Sequence, residues 1–201
     1  MFRLYLHTSF AAALIVALAV APDAQVRPSK REAQSFKQKV ATINALGKKP
    51  SKQLRRTTVS EAELNAYLVH EAQPDFPDGV VDPAVDMVGP GRLSGRATID
   101  LSAVRKAQNP TRTFDPRNLL MGQVPVTATG VLTTANGMGR FQLESATVGG
   151  IPVPKMILQE IVSYYSRTPQ APSGVSLDDP FPLPAQIREV QVQPDQAIIV
   201  Q

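Results

Sequence analysis

The feature that most limits what this chain can become is a change of hydrophobic period after Pro74. Before it, apolar residues recur every three to four positions. From Val80 onward they alternate, and turn-forming residues cut the alternation into segments. Leu93, Gly95, Ala97, Ile99 and Leu101 alternate with Arg92, Ser94, Arg96, Thr98 and Asp100, the pattern of a strand with one face in the core. Val124, Val126, Ala128, Gly130 and Leu132 repeat it against Thr127, Thr129 and Thr133. Asn136-Gly137 is a strong hairpin signal, and Phe141, Leu143, Ser145 and Thr147 form the expected return against Arg140, Gln142, Glu144 and Ala146. Gly149-Gly150 closes that strand. A further strand is expected from Val80 to Val88, interrupted at Pro83. A last hairpin runs from Ile187 to Val200 around Pro194-Asp195.

Three helices flank these strands. Phe36, Val40 and Ile43 fall at helical spacing within 31–46, and Gly47 supplies a stop. Ser60-Glu61-Ala62-Glu63 is a capping box, in which the serine takes a free N–H and the second glutamate reaches back, and it opens a helix that ends before Pro74. Pro154 starts a third helix, whose Ile157, Leu158, Ile161, Val162, Tyr164 and Tyr165 make a broad apolar face. Residues 102–123 lack a clear period beyond a helical turn near Leu101–Arg105, and 168–184 reads as a Pro-rich loop. Strands joined by hairpins, with helices at the two ends and no βαβ alternation, indicate an α+β fold. Its sheet is expected to be strongly twisted, mainly antiparallel and wrapped around one or two amphipathic helices.

The first residues read as a secretory signal. Arg3 precedes an apolar run from Phe10 to Ala21, and small residues offer cleavage after Ala21 or Ala24. An uncleaved anchor or a buried helix is the rival reading. The expected organisation is a signal peptide over 1–24, a basic arm with a helix over 25–56, and an α+β domain over 57–201. The protein is then expected in the periplasm or secreted. Charge divides along the same line: residues 27–56 contain ten Lys and Arg against Glu32 alone, whereas 57–201 contain fifteen Asp and Glu against ten Lys and Arg. In an exported chain such an arm suits anionic lipid headgroups, and a solvated arm without a partner is the plainer alternative.

Composition removes much chemistry. The sequence has no cysteine, which rules out disulfides, thiol catalysis and Cys-bound zinc. It has two histidines, His7 in the leader and His70 at a helix end, where a cation suits the negative pole. It has no phosphate loop, and Gly91-Arg92-Leu93-Ser94-Gly95 has the wrong spacing for a nucleophile elbow. Asp82 with Asp86, and Asp178-Asp179, read as turn and surface carboxylates. Without Trp or an aromatic ladder, stacking on nucleic acid has no support. Arg105, Lys106, Arg112 and Arg117 can clasp a phosphate or form an ordinary basic loop.

The segment Thr58-Val59-Ser60-Glu61-Ala62-Glu63-Leu64-Asn65-Ala66-Tyr67-Leu68 resembles the helix that opens small cell-envelope lipid-binding domains of the tubular lipid-binding (TULIP-like) type. Val148 to Pro154, the following helix, Leu183-Pro184-Ala185 and the final hairpin are similar to the C-terminal end of secreted phospholipid-binding members. The resemblance covers about 57–201. It implies a curved sheet around a long helix and a groove for acyl chains. Helix positions Leu64, Leu68, Ile157, Ile161 and Tyr165 would face Val126, Leu132, Phe141 and Leu143 across it. Lys48, Lys49, Lys52, Arg55, Arg56, Arg105 and Lys106 are the candidate contacts to headgroups or a membrane surface.

Together these features lead to the expectation of a secreted or periplasmic, non-enzymatic protein that binds phospholipid or another apolar lipid without cofactor, metal or nucleic acid. An envelope assembly protein, docking a protein partner through the apolar face of the third helix, is the alternative. A hydrolase using His70 is a third.

Overall fold

The computed structural model describes residues 28–49, 53–103, 122–165, 167 and 172–201. The expected signal segment, Lys52, and the basic residues Arg105, Lys106, Arg112 and Arg117 lie outside them. No described helix is long and apolar enough to cross a membrane.

The fold is α+β, and all strand pairs are antiparallel. Helix α1 spans Lys30–Gly47, strand β1 Arg56–Ser60 and helix α2 Glu61–His70, followed by a 3-10 turn at Gln73–Asp75. Strands β2 (Val80–Gly89), β3 (Arg92–Asp100), β4 (Gln123–Ala135), β5 (Met138–Val148) and β6 (Ile151–Pro152) follow. Helix α3 covers Lys155–Tyr165. Strands β7 (Phe181–Pro182), β8 (Glu189–Gln193) and β9 (Gln196–Val200) complete the chain. The strands make two sheets: a six-stranded one in the order β2-β3-β4-β5-β6 with β7 also on β5, and a three-stranded one in the order β1-β9-β8. The alternating pattern identified the strands but carried no sign of this division. Strand β1 was also hidden, because Thr57–Ser60 precedes a capping box and pairs with residues some 140 positions away.

The larger sheet follows the alternation except at three irregularities, one of them between Met87 and Gly89 at the end of β2. Asp82-Pro83 interrupts the β2–β3 register, with Asp82 at φ 49°, so the proline sits where a ladder hydrogen bond is already lost. In β5 the register slips between Ser145 and Leu143, leaving Glu144 as the extra residue. This corrects the sequence expectation for that strand. Beyond Glu144 the parity inverts, so Ala146, paired with Ala128, is buried and shares the face of Phe141 and Leu143, while Ser145 and Thr147 turn to the other face. The Asn136-Gly137 turn has φ of 51° and 79°, as a two-residue hairpin of this kind requires. Gly149-Gly150, at 59° and 79°, makes the tight turn into β6.

Both faces of this sheet are now defined. The polar face pairs Arg92 with Glu144 at 2.9 Å, Arg96 with Asp86, and Thr127 with Thr147 at 2.7 Å. The apolar face meets the smaller sheet at one end only. There Met87, Val192 and Ala197 are buried, with Leu64, Leu93, Leu132 and Val190 packed around them.

Side chains close the strand edges at this junction. Asn65 on α2 accepts from Val85 N–H at 2.7 Å and donates to Val85 C=O at 2.9 Å, while Glu61 accepts from Met87 N–H at 2.6 Å. The Thr134 hydroxyl likewise serves both backbone groups of Val190. Gly91 N–H reaches Val192 C=O, and Gly137 N–H reaches Arg188 C=O.

Helix α1 is built into this body. It opens with a second capping box, Ser29 with Glu32, at the start of the span expected from sequence to be helical. Ala33 and Ile43 are buried, and Phe36 stacks at a tilt on Tyr67 with centroids 4.8 Å apart. Glu63 draws α1 onto α2, accepting from Lys39 at 2.7 Å, Ser35 at 2.6 Å and its own cap N–H at Ser60. Burial pushes its carboxyl up, but the bonds from Lys39, Ser35 and Ser60 and the lysine charge outweigh that, so its pKa lies below the ordinary 4.5.

A carboxyl depressed in the folded state stabilises it above its unfolded pKa, and that contribution fades as pH falls through the folded value. The urea midpoint should therefore fall, as pH drops below 4.5, more steeply in the native chain than in Glu63→Gln, the two curves converging once the folded-state carboxyl is protonated. Asn65→Ala leaves both Val85 groups unpaired and should cost about 2 kcal/mol in urea denaturation.

Candidate functional site

Buried apolar residues are unevenly distributed. Among the described residues they come mostly from α1, α2 and the smaller sheet, whereas the six-stranded sheet supplies Met87 and Ala146. Past the junction its apolar face continues through Ala97, Ile99, Val124 and Val126, all half-buried, to Val148 at 41% exposure. In register these residues adjoin: Ala97 faces Val126, Ile99 faces Val124, and Val126 faces Val148. Helix α3 approaches this region from the β5 side after the short β6 hairpin. Large exposed apolar side chains follow in sequence: Ile151 (70%), paired with Val148 in β6, and Met156 (74%) and Ile157 (49%) on α3.

Phe141 lies on this face opposite Leu132, next to the junction. A Cβ at Gly130 would stand 2.5 Å from its Cζ and 2.5 Å from Gln142 O, so the ring lies across the glycine in the place of a side chain. Phe181 covers Gly139 in the same way.

The structure separates the expected groove residues into groups. Val126, Phe141 and Leu143 lie half-buried on the apolar face. Leu132 is on the same face but packs into the junction, as does Leu64 from α2. Leu68 is half-buried on α2, the helix tied to the β2 edge. Ile157 is exposed on α3. Ile161 and Tyr165 belong to α3, and their side chains, with that of Tyr164, lie outside the described residues.

The basic candidates divide similarly. Lys48 and Arg56 are exposed, Lys48 as the C-cap of α1 and Arg56 at the start of β1. Lys49 and Arg55 border a cleft of about 420 Å³, whose wall also includes Asn136, Gly137, Ala185 and Arg188. No local signal marked this cleft, because its residues come from four separated segments. Other arm lysines serve the fold: Lys39 binds Glu63, and Lys37 meets Glu71 at 2.7 Å.

Three of the residues weighed for catalysis, His70, Asp86 and Asp178, have structural partners. The ring Nε2 of His70 lies 2.9 Å from Pro28 C=O. Asp86 pairs with Arg96, and Asp178 accepts from Lys155 at 2.6 Å, tying α3 to the following loop. Asp82 is exposed in the bulge. Gln159 also fastens that loop, donating to Val175 C=O and accepting from Leu177 N–H.

No protein-family model matches the chain, and no curated protein matches it. Among solved structures, a crystal structure of lipopolysaccharide binding protein is similar at 16% identity with a TM-score of 0.23, over 73% of this chain and 40% of that one. The chain thus spans less than half the length of that protein.

Gly130→Val should push Phe141 off the sheet and lower stability by about 1–3 kcal/mol in a chemical denaturation series. A weakened near-ultraviolet aromatic signal in the folded variant would locate the damage at that ring.

Proposed function

We propose that the chain is an exported, non-enzymatic lipid-binding protein that holds acyl chains against the apolar face of its six-stranded sheet, beneath α3. The observation that carries this reading is the continuation of that face beyond the packed junction, through Ile99, Val124 and Val126 to Val148, with exposed Ile151, Met156 and Ile157 in the β6–α3 segment that follows. An acyl chain laid there gains about 0.8 kcal/mol per buried CH₂, so a strip of this kind suits a long tail better than a small polar substrate. The polar side of the same sheet keeps the protein in water, and the apolar run behind Arg3 supports export to the periplasm or outside the cell.

The alternative occupant is a protein of the cell envelope, docked on the exposed side of α3. Its specific support is the exposure of Met156 and Ile157 on successive positions of that helix.

Mass spectrometry of organic extracts from detergent-free protein should detect a bound phospholipid or similar lipid. Val126→Glu should reduce binding of a fluorescent long-chain fatty acid at least about tenfold, since an ionised carboxylate there opposes an apolar ligand. Thr127→Glu, on the polar face, should leave it unchanged. Equal binding by both folded variants, or a clean extract from protein that also refuses added lipid, overturns the groove; a co-purifying protein lost in Met156→Glu would then establish the alternative.

A further inference from the structure

At the far end of the β4–β5 hairpin from this apolar strip lies the 420 Å³ cleft. Its volume falls within the range of sites for small molecules. Three cationic residues border it: Lys49 just past α1, Arg55 leading into β1, and Arg188 leading into β8. Among the described residues the wall contains no Asp or Glu side chain, and the other polar side chains there are amides: Gln53, Asn136, Gln186 and Gln201. This is a local concentration of positive charge on a domain whose residues 57–201 are net acidic.

The wall is also built under constraint. Asn136, Ala185 and Gln186 have φ of 51°, 53° and 59°, so three of the five described non-glycine residues with positive φ line this one cleft. Ala185 and Gln186 hold that conformation because their surroundings fix it. Ile187 N–H closes the turn onto Pro184 C=O at 3.0 Å, and the Gln201 amide donates to Ala185 C=O at 2.6 Å and to Ile43 C=O at 2.9 Å. Gly47 presses against the Ala185 backbone so closely that no side chain fits there. Gln201 is the buried polar residue among those described, at 8% exposure. Sparsely populated backbone conformations held by their surroundings concentrate at binding sites.

We infer that this cleft binds a phosphate-bearing ligand of headgroup size, with the Arg55 and Arg188 guanidiniums and the Lys49 ammonium as its anion contacts. Guanidinium matches phosphate through two parallel N–H···O bonds, which favours phosphate over a single halide or an apolar guest. The amides suit the hydroxyls of a glycerol or sugar attached to it. The inference stands independently of the acyl-chain reading, since the two places lie at opposite ends of strands of 13 and 11 residues. The phosphate can belong to a membrane lipid or to a soluble metabolite.

The test is titration of the full chain with inorganic phosphate and with glycerol 3-phosphate by calorimetry, and flotation with vesicles of phosphatidylglycerol in phosphatidylcholine. Arg188→Gln and Arg55→Gln should each weaken binding at least tenfold, and Lys49→Gln several-fold. Arg140→Gln, an exposed cation on the polar sheet face, should change it less than twofold. Saturable glycerol 3-phosphate binding lost in the Arg variants supports a soluble ligand. Flotation lost in the same variants, with no binding of the soluble probes, supports a lipid headgroup. Lys49→Gln alters an exposed side chain past the helix end, so it provides the reading if an arginine variant fails to fold. Absence of binding to every probe, or equal weakening by Arg140→Gln, overturns the site.

Discussion

Short antiparallel sheets leave backbone groups along their outer strands, and the way this protein satisfies them determines the rest of its form. The outer side of β2 is closed by Asn65 and Glu61, and that of β8 by the Thr134 hydroxyl with two turn amides. Lys39 reaches the Thr58 carbonyl on β1. These contacts are directional, so they fix α2 along β2 and the smaller sheet across one end of the larger. An unsatisfied strand edge is also a template for another chain, and the same bonds remove that hazard.

Once α2 is held at an edge, it cannot lie along the whole apolar face. The hydrophobic core therefore forms where the two sheets meet and where α1 covers α2. The remainder of the sheet keeps apolar residues without full burial. Stability and binding surface are thus assigned to different parts of one sheet. The junction end carries Met87, Leu93 and Leu132, and the other end carries Ile99, Val124, Val126 and Val148.

Much of this was legible in the sequence. Period-two segments gave β2 to β5, Asn136-Gly137 gave their main turn, and the capping box gave the start of α2. What stayed hidden depends on partners distant in the chain or on one-residue irregularities. The bulge at Glu144 has no local signature, so Ser145 and Ala146 were read on the wrong faces. Asn65 was visible as part of a motif, but its two bonds to Val85 follow from tertiary placement. The charge excess of 27–56 suggested a membrane-facing or a solvated arm, and two of its lysines pair instead with Glu63 of α2 and with Glu71 just past its end. The cleft near Arg188 joins residues from both ends of the domain, which no spacing rule can detect.

The pairing of β1 with β9 has a consequence for the order of assembly. Strands β2 to β6 follow one another as neighbours, and the contacts among them are mostly short in sequence except across the 104–121 segment. The smaller sheet instead needs residues 56–60 and 196–200 together, and Gln201 binds the carbonyl of Ile43 across 158 positions. Contacts that distant form slowly, because a long loop must close before they return any stabilisation. The larger sheet can therefore collapse first, while the pairing of β1 and the Gln201–Ile43 bond wait for the last residues. For a chain that emerges progressively, β1 would keep its backbone groups unpaired until residues 196–200 arrive, which makes β9 the strand that turns a sticky intermediate into a finished molecule.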